Sequence, residues 1–577
     1  MNRPNTGSGW QPTCLAAGLA LWLVSALLLI TGVAGDSLTT DEYSRIPQGY
    51  YYWSTGRYSW GGDHPPLLKL LVSAPLLLLG LPIDPRFWSL PPEEAMDLFM
   101  FDDKTSVDLV IWLARFPIIL LTLALIAFLG WWARRWYGPA AGLLALFLAA
   151  FNPEFLAHGR LATNDLGVAA FLAAALFAAE GACQRPSPLR LMGAGVMSGL
   201  ALLSKFSAIL LGPMLLLQLM SPDSGVRRSR VALRLGAIGL IALAVVELGY
   251  RVQIRQMTLE EQATQIQTLS PDDSIRTPAL GLLSPLPGIA NFCFGLGKLR
   301  EHAREGHPAF LWGHYTDRGW WYYFPIAFAI KTPLPLLALI GIGLAWRRGG
   351  TGRREWRSLV GPMLVFGGVS VFGSVNIGNR HLLPVYPLLI VWVSRVAAAP
   401  LSRVRLGFLS LLGAWYLVGA LLIHPHYLAY FNELAGGPDR GWRYVTDSNV
   451  DWGQDTKRLA AYVKTHNLHP VSATLGGRGT PAVFRHYLPG ITRVWPPLEE
   501  MPTGYYAIGR TARTLGPYVA RQRFSPADAD LLMRLFARLD RLTPIATIGY
   551  SIDLFDLRPQ PKVGAPEGTP LPGAAGP

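Results

Sequence analysis

The chain has 577 residues, 51% of them hydrophobic and only 15% charged, with 51 Lys and Arg against 37 Asp and Glu and a formal net charge of +14. So few charges between such long apolar runs exclude an ordinary soluble protein and predict a polytopic membrane protein. The basic excess gathers in short segments between the apolar runs, where the positive-inside rule accounts for it, so no nucleic-acid partner is expected.

The first run, about Cys14 to Val33, follows a short start that carries Arg3. At about twenty residues it can cross ~30 Å of hydrocarbon, and it reads as an uncleaved helix although Val33-Ala34-Gly35 faintly imitates a cleavage site. Asp41 and Glu42 come next, in Thr39-Thr40-Asp41-Glu42-Tyr43, with Arg45 close by. The loop Gly61-Gly62-Asp63-His64-Pro65-Pro66-Leu67-Leu68-Lys69 follows, and its prolines impose an extended entry to a short helix. That run, Leu67 to Leu81, is interrupted by Lys69 and Pro75 and reads as interfacial or re-entrant.

Further spans are predicted near 108–132, 138–156, 165–182, 190–204, 205–220 and 231–250, then 321–346, 357–375, 381–398 and 404–423. With the first they make about eleven. A cytoplasmic N-terminus puts Arg134-Arg135, Arg185 with Arg190, Arg227-Arg228 with Arg230, Arg347-Arg348 with Arg353-Arg354, and Arg403 with Arg405 on the inside. The hydrophilic regions 34–107, 251–320 and 424–577 then face outward, and everything after 204 depends on the turn at Ser204-Lys205-Phe206. The region 424–560 mixes strand-like pieces (Tyr505 to Ile508, Ile545 to Ile548) with helix-like ones (Asp455 to Lys464, Ala527 to Leu539), as a small α/β extracytoplasmic domain would. Residues 561–577 close a Pro/Gly/Ala-rich tail expected to be disordered.

Several charged residues lie at predicted helix ends. Asp41 and Glu42 are either a solvated pair or carboxylates held at the bilayer surface for chemistry. A second acid, Asp165 in His158-Gly159-Arg160-Leu161-Ala162-Thr163-Asn164-Asp165, is an N-cap candidate and can also serve a site. Each acid has a cation near in sequence, Arg45 for Asp41 and Arg160 for Asp165, as phosphate binding beside hydroxyl activation would need. Lys69 is either a snorkelling lysine or a phosphate contact. His64 alone is a weak signal. Lys205 is stranded among apolar residues and needs water, an anion or a carboxylate. Arg380 with His381 opens another span, as an interfacial anchor or a bidentate phosphate ligand. Tyr50-Tyr51-Tyr52-Trp53, Trp60 and Trp320-Trp321-Tyr322-Tyr323 read as an aromatic belt with some capacity to stack on a sugar. Asp447 to Asp455 begins like a calcium loop but fails it: Gly453 falls one position late and Arg458 stands where Glu is required.

Taken in order, Asp41-Glu42, His64-Pro65-Pro66-Leu67 with Lys69, Arg160 to Asp165, Gly199-Leu200-Ala201 with Lys205, and Arg380-His381-Leu382-Leu383-Pro384 resemble the GT-C fold glycosyltransferases. The likeness is to the protein O-mannosyltransferase group and its bacterial phospholipid-carrier-dependent relatives, and covers roughly the first 400 residues. It implies a transmembrane GT-C catalytic domain over 1–423, with outer loops 34–107 and 251–320. It also implies inverting transfer of a single sugar from a polyprenyl-phosphate carrier to a hydroxyl on a protein, lipid or envelope glycan, outside the cytoplasmic membrane. Asp41 would be the base, Glu42 and Asp165 would orient donor or acceptor, and Lys205 and Arg380 would hold the lipid phosphate. Some GT-C enzymes use a divalent metal, which the acids here could bind, though the sequence shows no cage. A secondary transporter or lipid-carrier flippase is the competing class, opposed by the three large outer regions.

Overall fold

The computed structural model of the protein describes residues 12–58, 62–82, 84–88, 90–101, 105–219, 228–345, 352–398, 402–475, 481–494 and 501–559. Trp60, Arg227, Arg347, Arg348 and the tail 561–577 lie outside the described residues.

Among the described residues, five helices are long and apolar enough to cross a membrane: Pro12–Val33, Val107–Tyr137, Asp165–Gln184, Ser229–Ile254 and Arg403–Leu422. A sixth counts if Tyr323–Lys331 and Leu334–Ala345, bent by 111°, form one crossing. The chain is a multi-pass membrane protein. Against the eleven expected spans, the other apolar runs fold into shorter helices, Pro139–Ala150, Pro188–Ser204, Phe206–Leu219 and Val385–Ala397. Several prolines stand at the first helical positions, where the missing N–H costs nothing, and so mark where these runs are cut.

Val107–Tyr137 is the axis of the bundle, touching Pro12–Val33, Leu67–Ser73, Pro139–Ala150, Asp165–Gln184 and Val385–Val393. Its Ile126, Leu129 and Trp132 are wholly buried. On the first helix, by contrast, Leu15, Leu19, Leu23 and Leu27 recur every fourth residue and are more than half exposed, a stripe suited to lipid tails.

The bend in the 323–345 pair has a local cause. Pro333 cannot donate to the helix and pushes Thr332 to an extended conformation, φ −89° and ψ 130°. The carbonyls freed there are taken by one residue: Asn432 donates its backbone N–H to Ile330 O at 2.9 Å, and its side-chain amide to Ala329 O at 2.6 Å and Thr332 O at 2.8 Å. A broken helix at membrane depth is tolerable when its backbone groups are served in this way.

A hairpin of β1 (Ala309–Leu311) and β2 (His314–Thr316) meets the chain again where Leu311 bridges Val445. Beyond it, β3 (Val471–Thr474), β4 (Thr492–Arg493), β5 (Tyr505–Gly509), β6 (Ala546–Ile548) and β7 (Ile552–Asp556) form one sheet in the order β4-β3-β5-β7-β6. β3 runs parallel to β4 and β5, while β7 is antiparallel to β5 and β6, with Ala507 opposite Leu554. Alternation along β5 sends Tyr506 and Ile508 to one face, against Leu535 and Phe536 of the helix Pro526–Leu539. Ala507 faces the other way, joining Leu459 and Val463 of the helix Thr456–Thr465 in the main core.

Candidate active site

The helix Thr40–Thr55 starts seven residues after the first span ends, with Asp41 and Glu42 in its first turn, where the helix dipole favours negative charge. Thr39 fixes that start by donating its N–H and its hydroxyl to Glu42 Oε2, at 3.0 and 2.9 Å. Asp165 likewise opens the helix Asp165–Gln184. Asn164 beside it donates to Ser204 O at 2.8 Å, which brings the next residue, Lys205, to Asp165.

These elements assemble a row of alternating charges. Lys205 Nζ is 2.6 Å from Asp165 Oδ1. Arg380 Nη1 bridges Asp165 Oδ2 at 3.2 Å and Asp41 Oδ2 at 3.1 Å. Arg45 Nη2 is 4.0 Å from that same Asp41 oxygen, and its Nη1 donates to Asp63 Oδ2 at 2.7 Å. Lys69 Nζ closes the row 3.8 Å from Asp63 Oδ1. Four cations (Lys69, Arg45, Arg380, Lys205) thus face three carboxylates (Asp63, Asp41, Asp165), an excess of one positive charge. Within the central pair, Asp165 is 2% exposed and Asp41 21%, so Asp41 is the carboxylate with an open side. Burial draws Lys69 down to about 7, against the pull of Asp63.

The floor of this row comes from the segment after residue 446. Ser448 Oγ accepts from Arg380 Nε at 3.0 Å and donates to Ile377 O at 2.7 Å. Asn449 Oδ1 accepts from the Asn379 N–H at 2.9 Å. The Trp452 ring lies 4.1 Å from the Arg380 guanidinium, a cation–π seat. Trp452 O in turn accepts from the Thr40 N–H at 3.0 Å, so the same segment holds both Arg380 and the start of the Asp41 helix. Lys331, buried in the bent pair, donates to Asn449 O at 2.9 Å and to Leu428 O at 2.8 Å.

Two expected site residues stand elsewhere. Glu42 is wholly buried, with both oxygens on Arg115 at 2.7 Å and Oε1 also accepting from the Ala162 N–H at 2.8 Å. Its oxygens are filled by the protein's own donors. Arg160, expected beside Asp165, turns to the other side: it pairs with Asp36 at 3.0 Å and donates to Pro425 O at 2.5 Å. A Cβ on Gly32 would lie 1.9 Å from Arg160 Nη1, so the absence of a side chain lets it pass. Sequence proximity misled because Gly159 to Asn164 make an irregular turn that sends positions 160 and 165 apart. His64 and His381 border the site, each with one buried ring nitrogen lacking a hydrogen-bond partner. Burial, helped by Arg45, holds His64 well below the ordinary imidazole range.

Arg115, Lys331, Asp63, Ser448 and Trp452 escaped the sequence reading as site components. Arg115 and Lys331 had a usable signal, a charge inside an apolar run; Ser448 and Trp452 lie in the segment Asp447 to Asp455, which stands out in the sequence only as a failed calcium loop. For a divalent metal the fit is poor: Asp41 and Asp165 both face Arg380, and among the described residues no group of three or more His, Cys, Asp or Glu is placed to hold one.

Residues 105–248 match the family described as dolichyl-phosphate-mannose-protein mannosyltransferase. No curated protein sequence matches the chain. Similar solved structures include ArnT from Cupriavidus metallidurans bound to undecaprenyl phosphate, with 14% identity, a TM-score of 0.46, and 95% of this chain and 98% of that one covered. They also include the S. cerevisiae protein O-mannosyltransferase Pmt1-Pmt2 complex bound to the sugar donor, with 18% identity, a TM-score of 0.34, and 44% and 36% covered. A third is the apo Archaeoglobus fulgidus oligosaccharyltransferase, with 12% identity, a TM-score of 0.47, and 89% and 72% covered. The stretch 105–248, which holds Arg115, Arg160, Asp165 and Lys205, is thus the part of this chain that is similar to the dolichyl-phosphate-mannose-protein mannosyltransferase family.

Proposed function

We propose that the protein is an inverting glycosyltransferase that moves one mannose-like hexose from a polyprenyl-phosphate carrier to a hydroxyl on a protein, a lipid or an envelope glycan. Catalysis takes place on the outer side of the cytoplasmic membrane. Residues 1–423 form the catalytic GT-C domain with outer loops 34–107 and 251–320, and 424–560 an extracytoplasmic domain. The observation that carries this reading is the charged row with one cation in excess, beside a carboxylate that keeps an open side.

A polyprenyl-phosphate sugar is a phosphodiester with one negative charge, which a row with cations in excess can receive. The acceptor oxygen attacks the anomeric carbon from the face opposite the phosphate, the sugar–oxygen bond to phosphate breaks, and the configuration inverts. Asp41 accepts the hydroxyl proton. The leaving phosphate has a second pKa of ~6 and departs without an acid, so one carboxylate suffices where glycoside hydrolysis needs two. Arg45, Lys69, Lys205 and Arg380 stabilise the charge that develops on the phosphate. Asp165 keeps Lys205 and Arg380 in place, and Glu42 acts through Arg115 and Thr39 as a positioning residue for the Asp41 turn.

The test is release of polyprenyl phosphate from a polyprenyl-phosphate hexose by the purified protein in lipid, supplied with hydroxyl acceptors. Asp41→Asn should lose the activity with little change in thermal unfolding. Full activity in that variant would remove Asp41 as the base.

A further inference from the structure

Asp63 differs from the other acids of the row in how it is held. Its side chain is 52% exposed, whereas the cations on either side of it are buried, Arg45 at 6% and Lys69 at 1%. One carboxylate oxygen faces each cation, at 2.7 Å for Arg45 and 3.8 Å for Lys69, much as two oxygens of one phosphate group would. The cations are fixed by their helices: a Cβ on Gly49 would lie 1.9 Å from the Lys69 carbonyl, so Thr40–Thr55 and Leu67–Ser73 are in close contact there. Asp63 belongs to neither helix but to the turn before Pro65. The arrangement is two buried cations on closely packed helices and one exposed acid on a loop.

Buried cations without a counter-charge are costly. Asp63 meets that need when no substrate is present. We infer that Asp63 is an internal placeholder for the carrier phosphate: it fills the seat between Arg45 and Lys69 between turnovers, yields it to the donor, and reclaims it as the spent carrier leaves. The inference rests on the reading that this row receives a lipid phosphate.

Charge balance gives the exchange a purpose. The donor brings one negative charge. When the bond from sugar to phosphate oxygen breaks, its electron pair stays on the phosphate, and the freed carrier holds about −1.5 to −2 at pH 7. Two fixed cations therefore grip the product harder than the donor. A carboxylate that waits in water nearby competes for both cations and helps the product out.

Binding of undecaprenyl phosphate to the purified protein in lipid nanodiscs compares wild type with Asp63→Asn. A placeholder that fills the seat in nine molecules of ten weakens apparent affinity about tenfold. Asp63→Asn should therefore bind undecaprenyl phosphate roughly tenfold more tightly, and lower the donor KM together with kcat as release slows. Undecaprenol, which lacks the phosphate, should bind both proteins alike. Equal or weaker binding of undecaprenyl phosphate by a folded variant overturns the inference. If the variant does not fold, a structure of the wild-type protein with undecaprenyl phosphate decides: a phosphate oxygen on Arg45 with Asp63 withdrawn supports it, and an intact Arg45–Asp63 contact overturns it. A wild-type protein that binds no undecaprenyl phosphate would sink the glycosyl-transfer reading as well.

Discussion

At the scale of single residues, neighbouring acids have diverged according to what surrounds them. Asp41 and Glu42 are adjacent, yet Glu42 is sealed under Arg115 while Asp41 keeps a side open. Further along, Asp451 is buried with its Oδ2 unpartnered, and burial, with Asp455 and Asp447 adding to it, pushes its carboxyl up to about 7. Asp455 is pushed up to about 6, again chiefly by burial. A carboxyl raised in the folded state holds a proton that the unfolded chain releases near pH ~3.9, so stability is greatest at acid pH and falls as pH rises toward the folded value. The melting temperature should accordingly fall between pH 5 and pH 8, and Asp451→Asn should flatten much of that fall. Thermal unfolding of both proteins across this range checks it, and an unchanged slope in the variant would refute the assignment.

At the scale of elements, the site depends on contacts between segments far apart in the chain. The 3₁₀ turn Asn379–Leu382 presents Arg380 because Ser448 and Asn449 hold it, and Lys331 holds Asn449. Asn432 completes the bend that carries Lys331. Replacing it with Ala leaves the carbonyls of Ala329 and Thr332 without their side-chain donor, at about 1–3 kcal/mol for each buried group. Asn432→Ala should therefore lower the unfolding midpoint and, through Lys331 and Asn449, weaken transfer. A normal midpoint with normal activity would show that water replaces the amide without loss. The apolar runs are legible in the sequence, and so are Asp41, Asp165, Lys205 and Arg380 as candidates, since each is a charge at or within a helix end. Their pairing is not. Arg380 meets Asp41 across 339 positions, and no local pattern encodes which of several buried arginines reaches which acid. Arg160 shows the same limit in reverse, since its sequence neighbour Asp165 is not its partner.

For the whole molecule, the transmembrane helices and the sheet-bearing region share one core. Trp452 and Gln454 accept from the Thr40 and Ser37 N–H groups, so the region after 424 is part of the wall around Asp41. The proposed mechanism requires that this region lie outside the cytoplasm. A reporter active only outside, fused to the C-terminus, should give signal, while one active only in the cytoplasm should stay dark. The opposite result would break the orientation on which the donor and acceptor assignments depend.

The bend at Pro333 also constrains how the protein is made. The side-chain amide that serves Thr332 comes from Asn432, 100 positions later. At a synthesis rate of about 5–20 residues per second, roughly 5–20 s pass between the two emerging. During that interval the bent pair has left the ribosome without its own cap, and its carbonyls must be served by water or by the insertion machinery. The bend is thus a late event in biogenesis: Lys331 reaches its final place only when the chain from 424 onward folds back. A nascent chain halted before residue 432 should be unable to build the site, however many of its helices have already entered the bilayer.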